Sequence, residues 1–172
     1  MPLALRFIRL DRWDTEALLA QSWVPEGDIV ADVLRDVGTT NGTLSVWHIA
    51  DDKSNLNRVL AAFGATRDKV ANLDYLLIEQ GLLQIAGVEM LVTAGTTVDP
   101  EANSQWHREL VHLSGHRLVE LVHTMLTRGE TCGIEHKTIA DMMRVALQRG
   151  NLDGSKVKKG ITKGLEKLQL GQ

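Results

Sequence analysis

Residues 99–128, DPEANSQWHRELVHLSGHRLVELVHTMLTR, constrain this chain more than any other stretch. Asp99 suits a helix N-cap, Pro100 the first helical position and Glu101 the first turn. Arg128 followed by Gly129 makes a matching stop. The pattern predicts one long helix over 99–128. At about 100° per residue, Trp106, Leu110, Val111, Leu113, Leu118, Val119, Leu121, Val122, Met125 and Leu126 cover most of its circumference. A helix apolar over so wide an arc is expected to be buried on several sides, as the centre of the molecule. Arg117 falls inside the arc, where it needs a buried acceptor or must snorkel to water.

A narrow polar stripe remains on that helix, containing Gln105, Glu109, His112, His116, Glu120, His123 and Thr127. His112 and His116 stand four apart, and Glu120 and His123 continue the face, a spacing that can hold a transition metal. The same residues read equally well as the solvated side of a buried helix. Arg117, five residues and then His123 resembles the Arg-x(4–6)-His signature of the HEPN-type ribonucleases. Over those seven residues the resemblance implies a helical bundle, with Arg117 and His123 as its catalytic pair.

A chain of 172 residues is expected to form one domain with a sizeable core. Its 44% hydrophobic and 24% charged residues are ordinary for a soluble globular protein. No apolar run is long enough to span a bilayer, and the opening MPLALRFIRLDRWD carries charges too early for a signal peptide. Cys132 is the one cysteine, which excludes an internal disulfide framework and fits a reducing compartment. A soluble, cytoplasmic protein without a membrane partner is expected. The charge is uneven: residues 1–136 hold 11 basic against 19 acidic side chains, and residues 137–172 hold 8 against 3.

Along the chain, residues 3–10 alternate as a strand, 11–21 read as a short helix, and 28–37 as another. Residues 38–42, GTTNG, form the strongest turn signal. Residues 43–50 are the clearest strand, 55–63 and 67–86 read as helices separated at Gly64, and 88–94 as a third strand. Residues 136–149 and about 155–168 form two last helices. The expected class is α/β or α+β, with a small sheet of about three strands packed on a mostly helical body. One long buried central helix and a C-terminal helical hairpin complete it. Residues 1–98 would be its α/β part and 99–172 its helical part.

Each expected strand ends near acids or hydroxyls: Asp11, then Asp51 and Asp52, then Thr96, Thr97 and Asp99. Were the strands parallel neighbours, these groups would gather at the carboxyl edge where open α/β sheets bind ligands. A divalent metal could sit there, with His48 as an acid or base. N-capping explains the same aspartates without a ligand, and no glycine-rich phosphate loop accompanies them. Cys132 and His136, four apart, form at most an isolated thiol–imidazole pair with no orienting third group. At the C-terminus Lys156, Lys159, Lys163 and Lys167 form a stripe that can meet phosphates or an acidic partner, or simply face water. Gly160 and Gly164 weaken that helix by about 1 kcal/mol each. Trp13 and Trp23 flank the first helix and are candidates for a partner surface.

No constellation outweighs its structural explanation, so the leading expectation is an interaction or regulatory module. It would be an accessory subunit of a larger assembly or a homo-oligomer, with no catalysis evident. The alternatives are a metal-dependent enzyme or a nucleotide- or phosphate-ligand-binding protein using the strand-end aspartates or the histidine stripe, and a nucleic-acid binder using the lysines. For an enzyme, Arg117, His123, Asp51 and His48 are the catalytic candidates. For a metal site the candidates are His112, His116, Glu120 and His123.

Overall fold

The computed structural model describes residues 1–13, 23–26 and 28–170. Among them, six strands form a single sheet in the order β4-β5-β2-β1-β3-β6, and every neighbouring pair is antiparallel. The strands are β1 (Leu3–Ile8), β2 (Leu44–Ile49), β3 (Leu73–Glu79), β4 (Glu89–Val92), β5 (His107–Val111) and β6 (Glu130–Ile134). The helices are α1 (Leu56–Thr66), α2 (Gln80–Ile85), α3 (Gly115–Arg128), α4 (His136–Gln148) and α5 (Lys159–Leu170). No helix among the described residues is long and apolar enough to cross a membrane.

This architecture corrects the expectation of about three strands on a helical body. The molecule is α+β, with twice that number of strands and with two of them, β5 and β6, past residue 98. β2 and β3, joined through α1, run the same way. β1 lies between them in the opposite direction, so no parallel pair forms.

Residues 67–86 are strand β3 followed by α2, not one helix. β3 is buried on both faces. Leu73, Tyr75 and Leu77 point into one core, Leu76 and Ile78 into the other. A near-continuous apolar run of this kind has no period of two, and its chance i, i+4 matches mimic a helix.

The long central helix is also resolved into parts. Asp99 does act as a cap, accepting from the Glu101 and Ala102 amides at 3.0 Å each, but it caps only the single wide turn Ala102–Trp106. β5 follows, and His112 then adopts φ 57° in the left-handed region, which no α-helix accommodates. Ser114 is the N-cap of α3, its hydroxyl accepting from the Arg117 amide. Leu110 and Val111 therefore belong to the sheet, and the wheel that combined them with Leu121 and Met125 joined two different elements.

The sheet has a core on each face. On one, Leu5, Trp47, Ile49, Leu73 and Leu77 meet Leu60 and Ala61 of α1, Ile139 and Met143 of α4, and Ile161 and Leu165 of α5. On the other, Ala4, Leu44, Val46, Leu76 and Leu110 meet Leu121, Val122 and Met125 of α3, Leu83 of α2 and Val33 of a 3-10 turn, Ala31–Arg35. That turn lies where a short helix over 28–37 is expected. Of the helix expected over 11–21, residues beyond Trp13 lie outside the described residues, and Leu10–Arg12 form a 3-10 turn.

The glycines that weaken α5 have a packing reason. A Cβ on Gly160 would lie 2.0 Å from the Asp68 carbonyl oxygen, and one on Gly164 would lie 2.8 Å from the Val70 side chain. Only glycine lets α5 come so close to the loop after α1.

Candidate functional site

The two edges of the sheet differ in chemistry. β6 exposes Glu130, Thr131 and Gly133, with Cys132 and Ile134 half-buried. β4 exposes apolar side chains: Leu91 is 43% and Val92 67% accessible, and Ile85 just upstream is 84% accessible. Soluble proteins usually guard an edge strand with lysine, proline or a bulge. β4 itself carries none of these; within the strand, its shortness and the single acid Glu89 are the protection.

The hydrogen-bond parity of this edge follows from one contact. The Thr93 amide donates to the His107 carbonyl, and β4 pairs with β5 in the register Glu89↔Val111 and Leu91↔Glu109. In an antiparallel ladder hydrogen-bonded and non-bonded pairs alternate. Glu89, Leu91 and Thr93 therefore direct their backbone groups at β5. Met90 and Val92 direct theirs outward, with no strand beside them among the described residues. Their side chains share the face of Leu110, where Met90 packs on the second core.

Two residues singled out in the histidine helix hold this edge in place. The Arg117 guanidinium donates to the Gly87 carbonyl at 2.7 Å, closing the turn that enters β4, where Gly87 takes φ 68°. Arg117 is exposed, so it reaches its acceptor at the surface. His112 Nδ1 lies 3.0 Å from Glu89 Oε2 and ties the turn before α3 to the first residue of β4.

His112 and His116 are not on one helix, so their i, i+4 relation dissolves. His116 Nε2 lies 3.3 Å from Glu120 Oε1, and both line an open groove of about 510 Å³ with Ile85, Ala86, His123 and Thr124. Among the described residues no three His, Cys, Asp or Glu side chains are grouped to hold a metal ion.

The strand-end aspartates are dispersed because the strands are antiparallel. Asp11 pairs with Arg9 at 2.6 Å beyond the far end of β1. Asp51 pairs with the terminal ammonium at 3.2 Å, and Asp52 accepts from the Ser54 amide at 3.0 Å. Thr97 turns inward, its hydroxyl 2.7 Å from Asn103 Oδ1. Asp99 is fully buried against Arg58, with contacts of 2.5 and 2.9 Å. His48 Nδ1 lies 2.8 Å from the Gln80 amide nitrogen, which also donates to the Leu3 carbonyl. An amide NH₂ only donates, so this imidazole nitrogen accepts. Arg117, His123, Asp51 and His48 thus each serve a separate local contact or groove.

Among the lysines, Lys156 pairs with Asp153 at 3.2 Å. Lys159, Lys163 and Lys167 are exposed along α5 without an ion-pair partner among the described residues. Off the stripe, Lys158 pairs with Asp68 at 2.8 Å. Trp13 is buried and Trp23 is 68% accessible.

Cys132 sits in β6 opposite Tyr75, while His136 starts α4 and binds Asn72 through its amide at 2.9 Å. Burial pushes the Cys132 thiol up, which suits a packing residue better than a nucleophile. Burial first, and then the neighbouring Cys132 and Glu130, push the Tyr75 phenol from 10.0 up to about 12. Because the folded value lies above the unfolded one, the phenol costs the fold nothing below pH 10. It destabilises the fold progressively as pH rises from 10 towards 12, where only the unfolded chain ionises. Tyr75 is the one tyrosine, so a spectrophotometric titration of the phenolate band reads it directly. A midpoint at pH 10 in the folded chain would contradict its burial.

No protein-family model, no curated protein and no solved structure matches this chain.

Proposed function

We propose that this protein is an interaction module that docks a partner by strand addition along the edge of β4. One observation carries this: Met90 and Val92 offer outward backbone donors and acceptors beside the exposed side chains of Leu91, Val92 and Ile85. Strand addition uses both resources, the backbone for affinity and alternate side chains for specificity. Arg117 and His112 support the reading by anchoring the start of β4, since a preformed edge loses less entropy on binding than a floppy one. The metal and nucleic-acid alternatives draw less support. The former has no three-residue ligand group among the described residues, and the latter rests on three lysines of one helix.

A photo-crosslinking residue at Val92, in the full chain expressed in its host, is expected to trap a protein, whether another copy or a different chain. The same residue at Thr131, on the polar edge, is the control. Equal trapping at both positions, or none at Val92, would sink the proposal.

A further inference from the structure

Resting on that reading, we propose that the occupant of the β4 edge is a second copy of this chain, paired antiparallel about a two-fold axis at Leu91. Backbone parity restricts the registers. Outward residues must face outward residues, so Met90 and Val92 can pair only with the partner's Met90, Val92 or their even-numbered neighbours.

An axis at Leu91 pairs Met90 with the partner's Val92 and Val92 with the partner's Met90, each through reciprocal backbone bonds. Leu91 then faces the partner's Leu91 as a non-hydrogen-bonded pair, the closer kind, at about 4.5 Å between Cα atoms. Val92, the most exposed side chain of the strand, is covered by the partner's Met90 on the same face. Glu89, the only charge in β4, falls opposite the partner's Thr93, so no like charges oppose each other.

Neighbouring registers are worse. An axis at Met90 sets Glu89 against the partner's Leu91 and requires Val88, which is buried, to enter the ladder. An axis at Val92 sets Leu91 against the partner's Thr93 and runs Glu89 past the end of the strand. The stretch is thus self-complementary in backbone, apolar cover and charge, as an isologous interface requires. A foreign strand would have to supply each of these separately.

The test is sedimentation of the purified full chain across a concentration series, with hydrogen exchange resolved at β4. The expected result is a dimer in which the Met90 and Val92 amides are protected and lose protection on dilution. The Leu91 amide, bonded to β5, stays protected in monomer and dimer alike. Val92→Lys, at an exposed position and with a residue that edge strands favour, is expected to weaken the dimer by on the order of 100-fold or more while leaving the thermal midpoint of the monomer unchanged. Thr131→Lys on the other edge should leave the dimer intact. A monomer at every concentration, a dimer that Val92→Lys leaves unaffected, or a dimer with freely exchanging Met90 and Val92 amides would each overturn the proposal. A monomer whose Val92 crosslinker traps a different host protein would overturn the second-copy assignment alone. A monomer with no crosslink at Val92 would remove the interaction reading as well.

Discussion

Arg58→Ala is expected to cost the fold about 3–5 kcal/mol, the range for removing one partner of a buried ion pair. The Asp99 carboxylate has no exposed surface. It is held by the Arg58 guanidinium from one side and by the Glu101 and Ala102 amides from the other. Without the guanidinium, a carboxylate caught in the interior retains only two amide donors. Arg58 also pairs with Glu101 at 2.6 Å and lies 5.2 Å from the Trp106 ring centre, so the turn Ala102–Trp106 loses its fastening to α1 at the same time. Urea denaturation should show a lower midpoint with an unchanged slope. Arg58→Met combined with Asp99→Asn should recover part of the loss, because no unpaired charge then remains buried. A single-variant loss below about 1 kcal/mol, the range of surface pairs, would show that this pair is solvated in the native state.

Leu121→Ala is expected to cost about 2–5 kcal/mol through lost burial and the cavity left behind. Leu121 is fully buried in the second core, where α3 faces Leu76, Leu110 and Val46 of the sheet. Leu118, one turn earlier, is only half-buried at the margin of that core, and Leu118→Ala should cost clearly less. A helix buried all round would make the two losses equal. Equal losses by urea denaturation would therefore restore the picture of a central helix and contradict the packing of α3 on one face of the sheet.

Much of the chain was readable locally. β1, β2 and β4 announce themselves by composition and alternation, α1 and α4 by helical spacing, and Asp99 by its capping chemistry. The glycines of α5 were visible as a local weakness, but their purpose was not, because the Asp68 carbonyl beside Gly160 and the Val70 side chain beside Gly164 lie far away in sequence. β3, β5 and β6 were missed for one common reason. A strand's hydrogen bonds are made to another segment, so nothing local requires it. When both faces are buried, as in β3, the period of two disappears. When the strand is short and polar, as in β6, it reads as a loop.

The candidate site divides in the same way. The exposed apolar residues of β4, and Arg117 and His112, were all in view as residue types. The sequence by itself determined the chain's hydrophobic patterning, its charge asymmetry and the strand character of residues 88–94. Only the tertiary structure decided that this strand is outermost and that Met90 and Val92 turn their backbone outward. It also decided that Arg117 fastens the turn before β4 and that the aspartates at the strand ends lie apart. Edge position and parity are set by the order and direction of all six strands, which depend on contacts between distant segments and leave no trace in the residues of the edge strand itself.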